Sequence, residues 1–564
     1  MDTKWTNAVD RNDPLHDYPR PQMVREGWMS LNGIWEYAIT DDKVIPEQFD
    51  GPICVPFSPE SALSLVGKAP GAGQYLWYRR TVSLSGDLTE KRVILHFGAV
   101  DQKADVWVNE KQVVSHTGGY LPFEADITSA LTGEEAVIVV RVTDDTDASW
   151  HTRGNQSKKT EGRGHTAQSG IWQTVWLETV PQSYVRALRI TPYFDDAEVD
   201  IAADLVGSEP AFVHFNGRSY ELPALIPVPD FEAWSPENPK LYGFTVTCGE
   251  DRVESYFAMR KFSVGPGENG VPRLLLNNKP YFQNGVLDGG FWPDGLYTAP
   301  TDEAMRSDIL TAKACGFNMI RKHRKVEPLR WYHHCDTLGM LVWQDMPCGG
   351  GPWPASVVSV PLYTRRHLSD SDYARFGRGE ELGRREFQDE LVEMVIALYN
   401  CPCIAMWVLF DEGRGQFDAA AMTDAVRFVD NTRTVDHASG WHDQGAGDVR
   451  SEHVSSRPYR FRADEKGRAV VLSSFGSRVC RIREHSVPGR VVGGRRYASA
   501  ERLREEIKEL YAGQILPAAG QGLSAAVYAQ LCDVENEENG LVTFDRQIMK
   551  IAPDEMKAIV LQEK

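Results

Sequence analysis

Two adjacent acids, Asp411 and Glu412, follow the most apolar long stretch of the chain and are followed at once by Gly413. A carboxyl group in apolar surroundings acquires a raised pKa, which suits it to general acid–base chemistry. The competing interpretation is an acidic pair that caps the helix of the next loop, because acids are common before helices. The pair is therefore the first candidate for chemistry in this sequence.

Other polar and aromatic residues also follow short apolar stretches in the second half of the chain. For Arg321, the alternative to a functional role is an ion pair with an acid of a neighbouring loop, and Asp345 is one such acid. For His453, the alternative is a buried structural histidine. The further candidates are Asp288, Trp292, Arg321, His323, Asp345, Trp441, His453 and Ser474.

The cysteines and histidines give no metal or disulfide pattern. Nine cysteines are scattered from Cys54 to Cys532, an odd number without the spacing of a disulfide framework. Cys401 and Cys403 are too close for CxxC chemistry. His333, His334 and Cys335 are adjacent in a helical stretch, where they point to different faces. We expect a reducing compartment, the cytoplasm, and no cofactor. The sequence shows no set of side chains that could bind a divalent cation.

The composition excludes several classes of protein. The 564 residues include 61 basic and 79 acidic side chains, a formal charge of −18, with 42% hydrophobic residues. This charge repels phosphate backbones, so we expect no nucleic-acid partner. No stretch reaches the roughly 20 apolar residues of a membrane span. The first 21 residues lack the apolar core of a secretory signal, so we expect no membrane association or export.

The pattern of apolar residues changes twice along the chain. From about 30 to 182, short runs with period-two alternation predict the strands of a sandwich or a jelly roll. Shorter β runs at 183–263, with a proline-rich bridge, predict a small immunoglobulin-like sandwich. We therefore expect domains at 1–182, 183–263 and 264–564.

The last 300 residues alternate between strand-like and helical segments. Helical runs at 302–314 and 328–338 precede the strand-like segments 317–321 and 340–345, and the pattern continues to 523–531. With 281–286 as the first strand, eight strands can be placed, which predicts a (β/α)8 TIM barrel. Barrel enzymes carry their chemistry at the carboxyl ends of the strands, which is where most of the candidate residues lie.

Five segments of the chain are recognisable motifs: SGIWQTVWLE (169–178), GGYLPFEADIT (118–128), GFNMIRKH (316–323), LGMLVWQDMP (338–347) and PCIAMWVLFDEG (402–413). They resemble glycoside hydrolase family 2, the family of β-galactosidases, β-glucuronidases and β-mannosidases. The resemblance runs in order over nearly the whole chain. It implies a jelly-roll sugar-binding domain, an immunoglobulin-like domain and a catalytic barrel, with a carbohydrate or glycoside as partner. Relatives of this size often form homo-oligomers.

The resemblance also implies retaining hydrolysis by two carboxylates about 5–5.5 Å apart. Glu412 matches the acid/base, and Asp411 stands where the family has an asparagine that binds the sugar 2-hydroxyl. Asp411 cannot donate that bond unless it is protonated, and its charge is expected to raise the pKa of the pair. Ser474 stands where the family has its nucleophilic glutamate. A further departure is Ser455-Ser456, where relatives carry Tyr-Pro.

Roles for the remaining candidates follow from the resemblance for two of them and from their places at strand ends and loops for the others. Arg321 and His323 match positions that line the sugar site, and Asp345 could bind a sugar hydroxyl. Trp441, expected to end the fifth strand, could form the floor under a sugar's apolar face. Asp288 and Trp292, on the loop after the first strand, could shape the entrance, and His453 could orient the residue at position 474.

Three explanations fit the loss of the nucleophile: natural divergence, engineering, or another acid in its place. The acids considered for that role are Asp443, Asp448, Glu452 and Glu484. We expect a retaining glycosidase, β-galactosidase-like by default, whose activity is weak or altered by Ser474. The alternatives are a catalytically inactive carbohydrate-binding protein on the same scaffold and, less favoured, an enzyme that transfers sugars from an activated donor.

Overall fold

The structure is a computed structural model that describes residues 1–84, 88–159, 164–267, 269–364, 366–455 and 457–561. Its first ten strands form a sandwich of a six-stranded sheet, in the order β3-β2-β4-β9-β6-β7, and a four-stranded sheet, in the order β1-β10-β5-β8. The strands of these sheets are β1 Trp28–Ser30, β2 Gly33–Thr40, β3 Gly51–Val55, β4 Tyr75–Ser83, β5 Lys91–Phe97, β6 Lys103–Val108, β7 Lys111–Thr117, β8 Phe123–Asp126, β9 Glu135–Thr143 and β10 Val175–Pro181.

Alternation along these strands explains why the sheets pack face to face. In β6, for example, every second side chain is buried, so one face of the sheet enters the core and the other remains partly accessible. The buried faces of both sheets share one apolar cluster that includes Trp35, Tyr78, Phe97 and Val140. This is the predicted N-terminal sandwich.

A second, smaller sandwich follows, with sheets in the orders β11-β12-β15 and β14-β13-β16-β17. Its strands are β11 Tyr184–Tyr193, β12 Glu198–Val206, β13 Ala211–Phe215, β14 Arg218–Glu221, β15 Ala224–Pro227, β16 Tyr242–Cys248 and β17 Asp251–Phe257. The hairpin strands β18 Phe262–Pro266 and β19 Pro272–Leu276 then lead into the last part of the chain.

The remainder is a barrel of eight parallel strands in the order β24-β23-β22-β21-β20-β27-β26-β25. Between β24 and β25 no ladder forms in the described residues, so the barrel is nearly closed. Its strands are β20 Gln283–Asp288, β21 Met319–Lys322, β22 Leu341–Asp345, β23 Ile404–Val408, β24 Thr434–Asp436, β25 Val449–Val454, β26 Ala469–Gly476 and β27 Leu523–Ala529.

Helices alternate with the barrel strands along the chain, as predicted. They are α1 Asp302–Ala314, α2 Leu329–Leu338, α3 Ala355–Val358, α4 Pro361–Thr364, α5 Glu381–Leu398, α6 Ala419–Val429, α7 Ala500–Leu510, α8 Leu516–Gln521 and α9 Pro553–Leu561. Local signals set their ends: Thr301 caps α1 by accepting a hydrogen bond from the Ala304 backbone, and α2 ends at Gly339 in the left-handed conformation.

Two further expectations can be compared with the structure. All nine cysteines are buried free thiols, so the predicted absence of a disulfide framework is confirmed. Among the described residues, none of the helices combines the length and the apolar character needed to cross a membrane.

Candidate active site

A cavity of about 90 Å³ lies at the carboxyl ends of the barrel strands. Five of the predicted residues line it, from β21, β23, β25, β26 and the loops that follow them. These residues are His323, Asp411, Glu412, His453 and Ser474. Because the carboxyl ends of all eight strands meet at this rim, residues far apart in sequence come together there.

Glu412 lies four residues beyond β23, in a backbone conformation with φ of 54°. This left-handed conformation is unusual for a residue other than glycine, so surrounding contacts must hold it. The Glu412 N–H donates to Ser439 O at 3.0 Å, and its carbonyl accepts from Trp441 Nε1 at 2.9 Å. The loop after β24 therefore fixes the position of Glu412.

Asp411 is buried among three cationic or polar side chains. Arg321 Nη2 donates to Oδ1 at 2.8 Å, Arg324 Nε donates to Oδ2 at 2.9 Å, and Arg324 Nη2 also contacts Oδ2. His323 Nε2 lies 3.3 Å from the same oxygen. Burial alone would raise the pKa of Asp411, but the charges of Arg324 and Arg321 outweigh it and hold that pKa well below its usual range.

Glu412 is also surrounded by positive charge. Its carboxylate lies 3.0 Å from Arg414 Nη2, 3.4 Å from Arg324 Nη2 and 3.4 Å from His453 Nδ1. Burial acts to raise the pKa of Glu412, but the hydrogen bond with His453 and the charge of Arg414 together bring it below the ordinary value. The charge of Asp411 does act to raise the pKa of Glu412, as expected, but the nearby cations outweigh this second carboxylate.

Arg321 and Asp345 lie beneath the cavity and do not line it. The Arg321 guanidinium binds the Asp345 carboxylate through two hydrogen bonds, of 2.9 and 3.0 Å, and both side chains are almost completely buried. Of the two roles predicted for Asp345, the structure has the ion pair with Arg321. The pair supports Asp411 from below.

One group of side chains has the proximity of a metal site. Single ligand atoms of His323, Asp345 and Asp411 lie within 4.8 Å of one another. However, both carboxylates already accept hydrogen bonds from Arg321, and Arg324 also binds Asp411. Two guanidinium groups at the same oxygens would repel a divalent cation, so this set does not suit a metal.

Ser474 is half-buried, and its side chain reaches the cavity from β26, opposite His453 on β25 in the sheet register. The preceding residue, Ser473, is fully buried and shares hydrogen bonds with Ser439 and Ser451 at 2.9 and 2.5 Å. The seventh strand therefore offers two hydroxyl groups and no carboxylate. Ser456, the second residue of the Ser455-Ser456 departure, lies outside the described residues.

The acids considered as replacement nucleophiles do not line the cavity. Asp443 is bound by Arg468 at 2.7 Å, and Glu452 by Arg450 at 2.9 Å. A different acid does line it: Glu537, from the long loop after β27, whose carboxylate lies 3.7 Å from His165. Asp448 binds Arg427 near the surface, and Glu484 lies in a short turn of 3₁₀-helix.

Three predicted positions differ in the structure. Asp288 ends β20 inside the barrel, where Lys322 donates to it at 2.5 Å, and Trp292 packs against Trp5 with ring centroids 6.0 Å apart. Neither lines the cavity, because both are buried behind it. Trp441 does not end the fifth strand, which stops at Asp436. It lies on the following loop and lines an adjoining depression.

Several residues of the site escaped the sequence analysis. Asn155 belongs to the N-terminal part of the chain, yet its Oδ1 accepts from Arg324 Nη1 at 2.5 Å and lies 3.5 Å from Arg414 Nη1. His165, from the same loop region, lines the cavity beside Glu537. Arg324 and Arg414 each lie within three residues of a predicted position. Their only signal in the sequence was that they lie next to or two residues after the predicted positions His323 and Glu412.

Comparison with known proteins identifies two matching sequence models. Residues 45–181 match the sugar binding domain of glycosyl hydrolases family 2, and residues 272–466 match the TIM barrel domain of the same family. Together these matches cover more than half of the chain.

Curated relatives include a putative β-glucuronidase of Formosa agariphila, 24% identical over 60% of this chain and 39% of the relative. They also include a β-galactosidase of Thermoanaerobacter pseudethanolicus, 24% identical over 59% of this chain and 44% of the relative. The chain thus spans less than half the length of either protein.

Solved structures are similar over almost the whole chain. The β-D-glucuronidase of Dictyoglomus thermophilum has a TM-score of 0.74 at 17% identity, covering 97% of this chain and 99% of its own. A β-galacturonidase of Eisenbergiella tayi has a TM-score of 0.72 at 18% identity, with coverage of 97% and 99%. At these identities the likeness shows the fold, which agrees with the predicted sandwiches and barrel.

Proposed function

Since the chain belongs to glycoside hydrolase family 2, we propose that its barrel cavity binds the terminal sugar of a glycoside and that Glu412 acts on the glycosidic bond. One observation carries this proposal: Glu412 and Ser474, from the fourth and seventh strand ends, line the same cavity. β-Galactosides and β-glucuronides are the first substrates to test, because those sugars appear in the names of the relatives.

In this proposal, Glu412 protonates the leaving oxygen and Ser474 occupies the place of the attacking carboxylate. A hydroxyl group carries no charge to stabilise an oxocarbenium-like transition state, and a serine needs an activating base to become a nucleophile. We therefore expect slow hydrolysis by the unaltered protein. A carboxylate introduced at position 474 supplies the missing charge.

A second candidate function is sugar binding without turnover. It is favoured by the contacts of Glu412, which hold this residue as a carboxylate, whereas a general acid must be protonated before it can act. The same cavity would then retain a sugar through its arginine, histidine and asparagine side chains.

Hydrolysis of a panel of 4-nitrophenyl glycosides separates the two candidates. The unaltered protein, Ser474→Glu and Ser474→Gln are each assayed with and without azide, a small external nucleophile. We expect Ser474→Glu to turn over at least about a hundredfold faster than the unaltered protein on one of the sugars, the scale of a strong electrostatic contribution to a transition state. Ser474→Gln, of similar size but uncharged, stays slow.

Azide is expected to raise the rate of the unaltered protein and not that of Ser474→Glu. If Ser474→Glu is inert on every sugar while the unaltered protein still binds one of them, the binding function replaces the hydrolytic one. Fast turnover by the unaltered protein that disappears in Glu537→Gln would instead assign the nucleophile to Glu537. Glu412→Gln is the control that removes the proposed acid in each background.

A further inference from the structure

A depression of about 590 Å³ opens beside the catalytic cavity. The two share the side chains of Leu362, His453 and Val454, so a ligand can extend from one into the other. Trp441 lines the depression, while its indole N–H binds the backbone of Glu412. The depression therefore begins at the residue proposed to act on the glycosidic bond.

Arginine dominates the far wall of this depression. Arg457, Arg460 and Arg462 line it from one extended segment, and Arg460 and Arg462 are exposed. Among the described residues, no carboxylate oxygen lies within 4.0 Å of any of these three guanidinium groups. In a chain with a formal charge of −18, three uncompensated arginines on one wall form a local positive potential.

The two acids that line the depression each bind an arginine outside this set of three. Glu452 accepts a hydrogen bond from Arg450 at 2.9 Å, and Asp443 is bound by Arg468 at 2.7 Å. Arg450 Nη2 also donates to the backbone carbonyl of Arg462 at 2.6 Å, which anchors the arginine segment to β25. Arg450 therefore holds the wall in place, and Arg457, Arg460 and Arg462 give it its positive charge.

A neutral polar group completes the wall. Tyr459 is 6% exposed and lines the depression, and its hydroxyl has no hydrogen-bond partner among the described residues. A buried hydroxyl without a partner costs free energy unless a ligand or water satisfies it. An aromatic ring, an unpartnered hydroxyl and several guanidinium groups together match the surface of an acidic sugar, with its apolar face, hydroxyls and anionic group.

We propose that this depression binds an acidic sugar unit of the substrate, next to the sugar held in the catalytic cavity. The substrate is then an oligosaccharide that carries carboxylate or sulfate groups. This inference rests on the proposed function, since it places the second unit on the leaving side of the same bond. A nucleic acid is the poorer fit, because the chain carries a formal charge of −18, which repels a phosphate backbone outside this local patch.

Calorimetric titration of the full chain with four probes tests this assignment. The probes are a hyaluronan tetrasaccharide for carboxylates, a carrageenan tetrasaccharide for sulfates, cellotetraose as the neutral oligosaccharide, and hexathymidylate for phosphates. The variant is Arg460→Gln/Arg462→Gln. The matched control is Arg306→Gln, at an exposed arginine on α1 outside the depression.

We expect at least one acidic tetrasaccharide to bind about tenfold or more tightly than cellotetraose, with an affinity that falls as salt is added. The double variant should lose at least about tenfold of that affinity, and Arg306→Gln should lose none. The identity of the better acidic probe distinguishes carboxylate from sulfate. Equal binding of cellotetraose, an unchanged double variant, or tighter binding of hexathymidylate would each overturn the proposal.

The proposed function is tested separately by Ser474→Glu on 4-nitrophenyl monosaccharides, which do not extend to the arginine wall. Turnover of those glycosides with no preference for acidic oligosaccharides would reject the acidic subsite alone. Arginine-dependent binding of acidic oligosaccharides, with Ser474→Glu inert, would reject the hydrolytic function and retain the binding site.

Discussion

Arg324 and Asp411 form a buried ion pair at the centre of the site, with Arg324 Nε 2.9 Å from Asp411 Oδ2. The same guanidinium reaches Glu412 at 3.4 Å. Asp411 also binds Arg321, so one carboxylate serves as counter-ion to two buried arginines. An asparagine at this position could not play that part, since it carries no charge. The aspartate is therefore matched to the arginines around it.

Replacement of Asp411 by asparagine should destabilise the barrel, although asparagine is the residue that the family resemblance implies here. Arg321 keeps Asp345 as a counter-ion in this variant, but Arg324 is left with only the Glu412 carboxylate at 3.4 Å. Loss of one partner of a buried charge pair costs about 3–5 kcal/mol. We expect a clearly lower thermal midpoint for Asp411→Asn, measured by the loss of tryptophan fluorescence or circular dichroism.

Asp448→Asn is the matched control for this prediction. Asp448 pairs with Arg427 at the surface, where both side chains are more than a quarter exposed. Pairs of this kind contribute about 0–1 kcal/mol, so the control should unfold close to the unaltered protein. If Asp411→Asn were as stable as the control, Asp411 would not be the counter-ion of the two arginines.

The stability of the protein should fall as the pH decreases from about 6.5, in part because of His323. Burial and the charge of Arg324 lower the pKa of His323 from 6.5 to about 3. The unfolded chain therefore binds a proton below pH 6.5 that the folded protein does not accept until about pH 3. Since the unfolded state binds more protons in this window, acidification favours unfolding.

His323→Gln should reduce that pH dependence. Denaturant midpoints of the unaltered protein and of the variant are measured from pH 7 to pH 4. The midpoint of the unaltered protein should fall more steeply on acidification, because the variant lacks this proton uptake, so the two midpoints should converge towards acid pH. His16→Gln, at an exposed histidine, is expected to keep the slope of the unaltered protein. A slope in His323→Gln as steep as in the unaltered protein would show that other groups account for it.

Much of the barrel could be predicted because its pattern is local. Thr301, Asp302 and Glu303 at the start of α1 and the spacing of buried side chains along α5 are visible in the sequence. The fifth strand was expected to end at Trp441, but it ends at Asp436, and Trp441 lies on the loop that positions Glu412. Periodicity cannot distinguish a short buried strand from a buried loop.

The composition of the site was harder to predict than its location. The resemblance located Glu412 and Ser474, but the ionisation of Glu412 depends on Arg414, Arg324 and His453, whose distances are fixed only by the folded barrel. Asn155 reaches Arg324 across 169 positions of sequence. No periodicity or spacing carries such a contact, because it results from the docking of the sandwich on the barrel.

Trp441 should contribute to ligand affinity through its ring. It lines the depression beside Glu412, and its ring meets His453 edge to face at 5.6 Å. We expect Trp441→Ala to weaken binding of the acidic tetrasaccharide that fills the depression by about tenfold, on the scale of an aromatic contact. Trp441→Phe keeps a ring and should lose less. Calorimetric titration measures both, and equal affinities of the two variants would exclude a role for the ring.

Asn155 should be needed for function although it lies in the N-terminal sandwich region. Its side-chain oxygen accepts from Arg324 at 2.5 Å, and its amide nitrogen lies 3.4 Å from His323 Nδ1. Removing a hydrogen bond to a buried charged group costs about 1.5–3 kcal/mol. In the Ser474→Glu background, we expect Asn155→Ala to lower kcat/KM about tenfold or more, because Arg324 is released from its position beside Glu412.

Asn155→Asp separates charge from position. An aspartate keeps the acceptor for Arg324 but adds a negative charge near Glu412, which raises the pKa of Glu412. The pH–rate profile of Asn155→Asp should therefore shift to higher pH, while Asn155→Ala loses rate at every pH. Asn109→Ala is the control. Asn109 lies in the same sandwich, and its side chain binds the backbone of Ala130 and Val137 rather than any residue of the barrel cavity, so the variant should leave kcat/KM unchanged. If Asn155→Ala also left kcat/KM unchanged, the barrel alone would position Arg324.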